Sequence, residues 1–387
     1  GNTLYITHPG GYTTVYAHLQ RFRKDIFDYV RKIQYEKQQH ALNIFPGKEE
    51  FKVGKGDLIA YSGSSGYSFG PHLHFEIRDA ANQEPMNVLL FGFDIEDIVP
   101  PRIFSLYQYS GDAKKRLEVS GKNGSYHLEQ GDTLEAEGFT GFGIEAFDYL
   151  NGAHNRCGLY SVKMEVDGEL RYEWVMDRFP FSRARYVNSY IDYEEKLRNK
   201  KLVQKLFVNP NNSLKLYRYV ENDGFLDFRE QGTHNVSIIL EDSYRNRSEL
   251  NFKVLAGIVG SNPENKIPGD NPEPDQVREF NWSEDNEFTG DDLYLKIPAR
   301  ALYKDLQFTY TKSEAPADAF SPVHSLHNKY TPIQSWCELG IRPHDLPGEL
   351  REKALIVLID EEEGYSPSPT EWKDGMLVTR IRDFGDY

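Results

Sequence analysis

Gly70-Pro71-His72-Leu73-His74-Phe75-Glu76-Ile77-Arg78 is the stretch on which the reading of this chain turns. It reads as a strand entered through the Gly70-Pro71 break. Residues two apart on a strand project to the same face, so the rings of His72 and His74 sit side by side, roughly 6–7 Å apart at the backbone. That spacing suits one metal-ligating imidazole beside one that carries a proton or supports the ligand. His18 has the same character. In Val15-Tyr16-Ala17-His18-Leu19, alternation puts Val15, Ala17 and Leu19 on one face and Tyr16 with His18 on the other, so His18 faces away from the apolar side. Most of the eleven histidines read as surface or turn residues, His324 and His327 among them.

Strand and turn signals alternate on either side of these histidines. Residues 4–7 and 13–19 read as a hairpin closed at His8-Pro9-Gly10-Gly11. From Leu19 the apolar positions Phe22, Ile26, Tyr29, Val30 and Ile33 recur at helical spacing until about Gln39, which predicts an amphipathic helix inserted on the sheet. It is expected to cover the sheet or to line one side of a groove. After Pro46-Gly47, residues 51–62 read as a strand pair around Gly54-Lys55-Gly56-Asp57. The small residues Ser62-Gly63-Ser64-Ser65-Gly66 then form a turn that would leave a groove open. The module closes near Val99-Pro100-Pro101, giving a first domain of residues 1–99.

Residues 100–257 show short β-rich runs punctuated by Gly, Asn and Asp, with one helical stretch near 193–202, and read as a β-sandwich. Within it, Asp242-Ser243-Tyr244-Arg245-Asn246 and Asp148 with Asn155 read as β-turn residues rather than as cation loops. A polar, Pro-rich run marks residues 258–279 as a linker. Residues 280–387 are a second β-sandwich-like module. The chain opens at Gly1-Asn2-Thr3-Leu4-Tyr5 without Met and already in strand alternation, so it is expected to be cut at both ends, and the missing signal peptide carries no information.

Composition limits the function classes. Of the 387 residues 39% are hydrophobic and 13% aromatic, too many for a disordered chain. The net charge of −15 argues against nucleic acid as a partner, and residues 1–97 carry only −2 of it, from ten basic and twelve acidic side chains. No run approaches a transmembrane span. Two cysteines, Cys157 and Cys337, exclude a disulfide framework and a thiolate zinc finger.

Three motifs, in this order, resemble the LytM/lysostaphin-type metalloendopeptidases that cut peptide bonds of peptidoglycan: Tyr16-Ala17-His18-Leu19; Val53-Gly54-Lys55-Gly56-Asp57-Leu58-Ile59-Ala60 leading into residues 62–66; and residues 70–78. The resemblance covers residues 1–97. It implies a mainly β chain, with a LytM-type β-sheet peptidase module of the barrel-sandwich-hybrid kind, one inserted helix, and Ig-like β-sandwich domains after it. It implies Zn2+ held by His74, with His18 and His72 activating the metal-bound water and stabilising the transition state. The substrate implied is the stem peptide of peptidoglycan, and the compartment the periplasm or cell envelope, where the β-sandwich domains could meet an envelope protein. One departure stands out: the family carries an H-x3-D motif supplying two more zinc ligands, and no histidine here has Asp four residues on. The motif is expected upstream of Gly1, and the chain as given is expected to be inactive by itself. The competing readings are a non-catalytic LytM-like activator of cell-wall amidases, against which the retention of three histidines counts, and a periplasmic scaffold or adhesion protein.

Overall fold

The computed structural model describes residues 1–111, 113–257, 274–360 and 364–387, and the chain divides into two units. The first comprises Gly1–Phe93 with Asp177–Phe181; the second comprises Asp94–Met176 with Ser182–Tyr387. Residues 94–99, read from sequence as the close of the first module, therefore fold with the second.

The first unit contains, in chain order, β1 (Asn2–Thr7), β2 (Tyr12–Leu19), β3 (Arg21–Phe22), α1 (Lys24–Lys37), β4 (Ala60–Tyr61), β5 (His74–Asp79) and β6 (Pro85–Met86). The predicted hairpin forms at Pro9-Gly10-Gly11, closed by the His8 N–H donating to the Tyr12 carbonyl at 2.8 Å. The main sheet runs β1-β2-β5-β6, antiparallel throughout, with Ala17 opposite His74 and Tyr16 opposite Phe75. The buried apolar side chains of this unit are few: Val15, Leu19 and Ile77 on the sheet and Ile26 on α1.

Two sequence expectations are corrected here. The helix begins at Lys24, not Leu19, because Leu19 ends β2 and Arg21–Phe22 is taken up by pairing with Ala60–Tyr61. A strand ladder satisfies those backbone groups, which helical spacing of the side chains alone does not reveal. Along α1 only Ile26 is buried, and Tyr29 packs its ring on Phe51 at 5.1 Å. The expected strand pair at 51–62 reduces to β4. Its first limb is not a strand, and Gly54-Lys55-Gly56-Asp57 is a turn, with the Gly54 N–H donating to Asp57 Oδ2 at 2.8 Å.

In the second unit the strand Ala113–Lys122 belongs to two sheets. Its start pairs with Arg102–Ser110, and Val119 to Lys122 pair with Ser125–Leu128. The sheets face each other, with the buried rings of Phe142 and Phe252 meeting at 5.3 Å, so the region is a sandwich whose corner is made by one strand changing sheets. The helical interruption is Tyr193–Asn199, capped by the Asp192 carboxylate, which accepts from the Glu195 N–H at 3.0 Å. Of the linker expected at 258–279, residues 258–273 lie outside the described residues, and Gln276–Phe280 is a strand paired with Leu306–Ser313. The last module stacks two further sheets around Phe308, whose ring meets Phe280, Phe288 and Phe384 at 4.8, 5.4 and 5.9 Å. His324, read as a loop residue, lies instead on the strand Val323–Leu326 and is buried, hydrogen-bonded to Tyr310 Oη at 2.9 Å.

Candidate active site

Pairing of β2 with β5 puts Ala17 and His74 on one face of the sheet. By alternation His18 belongs on the opposite face, with Tyr16 and Phe75. The structure overrides this. Between Asn2 and Leu4 of β1 the register slips, so that one step more is spent on β2, and His18 takes φ +56°. This is a bulge with a left-handed residue, a conformation histidine tolerates better than most side chains. Alternation is broken at His18, and its ring joins the other two: 4.8 Å from the ring of His72 and 5.7 Å from that of His74, centroid to centroid. The three sequence-predicted site residues are therefore brought together, although His72 lies just before β5 rather than on it.

Hydrogen bonds set which nitrogen each ring presents. Nδ1 of His18 faces the Ser65 carbonyl at 3.0 Å and Nδ1 of His72 faces the Gly70 carbonyl at 2.9 Å. A carbonyl only accepts, so both Nδ1 atoms carry the proton and both rings present a basic Nε2. His74 is held the other way round: its Nε2 donates to Glu76 Oε1 at 2.5 Å, which leaves Nδ1 as the lone-pair atom. Glu76 Oε2 in turn accepts from Arg78 Nε at 2.6 Å, and the Arg78 guanidinium lies over the rings of Tyr5 and Phe181. Burial works to raise the Glu76 carboxyl, but the hydrogen bonds from Arg78 and His74 outweigh it and hold the group below its ordinary value, ionised.

The small-residue loop is more than a turn. The Gly63 carbonyl accepts from the His72 N–H at 3.0 Å and the His18 carbonyl accepts from the Ser65 N–H at 3.3 Å, so residues 63–65 fix both catalytic candidates. Gly63 is required: a Cβ there would lie 2.7 Å from the Gln20 nitrogen. Sequence reading missed the Ser65 and Gly70 carbonyls, and also Glu76 and Arg78. The last two carried a signal, since positions 74, 76 and 78 alternate onto one face of a strand.

An imidazole whose far N–H is held by a carboxylate is the arrangement found around metal-ligating histidines, and His74 with Glu76 fits it. Among the described residues the His, Cys, Asp and Glu side chains whose ligand atoms come within 4.8 Å of one another in threes are Asp97, Asp148 and Asp242 of the second unit, and the three histidines, though their rings meet, do not form such a set.

Residues 33–88, which include His72 and His74, match the model of Peptidase family M23, and residues 277–387 match that of the Zu5-like domain. Among curated proteins, the chain is similar to the DD-carboxypeptidase/endopeptidase Mpg of Neisseria meningitidis serogroup B, 33% identical over 87 residues, which are 22% of this chain and 14% of that protein. The protein of the same name from Neisseria gonorrhoeae is 32% identical over 87 residues, with the same shares. The chain thus spans 14% of the length of the curated relatives it matches. No helix among the described residues is long and apolar enough to cross a membrane.

Proposed function

We propose, from the premise that the chain carries a Peptidase family M23 region, that it is part of a zinc-dependent endopeptidase hydrolysing peptide cross-links of bacterial peptidoglycan. The observation that carries this reading is the meeting of three histidine rings, those of His72 and His74 lying 4.8 and 5.7 Å from that of His18, with the far nitrogen of His74 held by the Glu76 carboxylate. His74 would hold the zinc ion, whose chemistry is to polarise the scissile carbonyl and lower the pKa of water. Of the two Nε2 atoms, of His18 and His72, one accepts the single proton the attacking water gives up. The ring so protonated donates a hydrogen bond to the oxygen that gains charge and then hands that same proton to the leaving amine. The Ser65 and Gly70 carbonyls keep both rings in the required tautomer throughout.

A single imidazole holds zinc weakly, so residues 1–387 alone are expected not to cleave, and the protein expressed from its complete gene is expected to do so. The substrate would put it in the periplasm or cell envelope, with the β-sandwich modules available to an envelope protein. The test is digestion of cross-linked muropeptide dimers by the complete gene product with zinc. Conversion of dimers to monomers by wild type and not by His74→Ala supports the reading. The incomplete donor set favours one second reading, a non-catalytic activator. In that case the complete product leaves dimers intact and accelerates a cell-wall amidase instead.

A further inference from the structure

Asp97, Asp148 and Asp242 are 7%, 2% and 0% exposed, and one carboxylate oxygen of each lies within 4.8 Å of the others. They meet at one end of the sandwich. Asp97 lies on the segment that enters it, and Asp148 follows the strand Phe139–Phe147, whose last residue pairs with Arg102. Asp242 opens the turn between Gly232–Glu241 and Arg247–Ala256. The turn role read from sequence accounts fully for Asp242: Oδ1 accepts from the N–H groups of Tyr244 and Asn246 at 2.8 and 2.9 Å, and Oδ2 from Asn246 Nδ2 at 2.7 Å. It does not account for the other two. Asp97 uses Oδ1 on the Val99 N–H at 3.1 Å and leaves Oδ2 with no partner, and Asp148 leaves Oδ1 with none, both oxygens sealed from solvent. Burial and the neighbouring charges of Asp242 and Asp97 push the Asp148 carboxyl up to about 7, and burial raises that of Asp242. Buried carboxylate oxygens without a hydrogen bond or counter-charge are rare, because the desolvation is uncompensated.

We propose that Asp97, Asp148 and Asp242 bind a calcium ion that ties the entering segment to the two loops of the sandwich. All the donors are oxygen. The thiol of Cys157, whose backbone pairs with that of Asp148, is not among the converging atoms, so the set suits a hard cation rather than zinc. Ligands drawn from three separate connections offer irregular geometry, which calcium accepts and magnesium does not.

The test uses the full chain, stripped with a chelator and titrated with CaCl2 at constant ionic strength, read by thermal unfolding and calorimetry. One ion per chain is expected, with a saturable rise in Tm and roughly tenfold weaker binding of Mg2+. Asp148→Asn should abolish the Ca2+ response and, in chelator, be at least as stable as wild type, since a repelling charge is gone. Asp97→Asn should abolish it too and serves if the first variant does not fold. His74→Ala should keep the response in full, which separates this site from the histidines. The proposal is overturned by a wild type indifferent to Ca2+, by a response that survives Asp148→Asn, or by tighter binding of Mg2+. Indifference to both cations with stability rising as pH falls through 7 would mean the carboxylates share protons instead, and equally overturns it.

Discussion

His18 and His72 each end their Nδ1–H on a backbone carbonyl, which makes them interchangeable in tautomer but not in exposure: His72 is open to solvent and His18 is half-buried. Replacing His72 by Ala should therefore leave Tm unchanged while lowering hydrolysis by the complete gene product about 10²–10⁴-fold. A loss of Tm in parallel would assign the residue to structure. Glu76→Gln removes the charge that the His74 N–H and Arg78 share. Zinc affinity of the complete product, measured by competition with a chromophoric chelator, should fall about 10–100-fold, and an unchanged affinity would take the Arg78–Glu76–His74 chain out of the account. The sequence singled out the three histidines as candidates and placed His72 beside His74. That His18 joins them was not legible, because strand alternation assigns it to the other face and only the bulge at φ +56° brings it over. Carbonyl partners such as Ser65 leave no trace in residue type, since every residue has one.

At the scale of elements, the site depends on how closely residues 62–66 pass the end of β2. A Cβ on Gly63 would meet the Gln20 nitrogen at 2.7 Å and Cα at 2.8 Å, backbone atoms that cannot swing away. Gly63→Ala is expected to cost about 1–3 kcal/mol and to displace His72, so thermal unfolding and hydrolysis should decline together. Full activity with wild-type Tm would show that the loop has slack. The hairpin at Pro9-Gly10-Gly11 was legible because its turn chemistry is local. The start of α1 was misread because Leu19 and Phe22 sit at helical spacing yet are claimed by ladders, Leu19 to Asn2 and Phe22 to Ala60, far from both in sequence. Pairing over that distance decides between two patterns that the local sequence supports equally.

At the scale of the whole molecule, mainly β modules were legible from turn spacing, but the boundaries were not: residues 94–99 fold with the sandwich, and Gln276–Phe280 is strand. The last module also holds two histidines that sequence reading treated as surface. Burial, reinforced for His324 by the charge of Lys312, pushes both His324 and His327 down to about 4. The unfolded chain binds their protons near 6.5, so it takes up more protons than the folded one between the two values. The stability they permit is complete above about pH 6.5 and declines as pH falls towards about 4. Tm across that range should fall for wild type and fall less steeply for His324→Leu, even though the variant strands the Tyr310 hydroxyl. Parallel curves would remove His324 from the acid response. Phe308→Ala, at the centre of that module's aromatic cluster, should cost about 3–5 kcal/mol by denaturant unfolding.

The central claim is that His18, His72 and His74 form the working end of a peptidoglycan endopeptidase. The most direct measurement is to digest purified sacculi with the complete gene product in the presence of zinc, beside its His74→Ala variant, and to separate the released muropeptides. The account predicts that wild type converts cross-linked dimers to monomers and that the variant leaves them intact. Equal loss of dimers with both proteins, or dimers untouched by either, would contradict it.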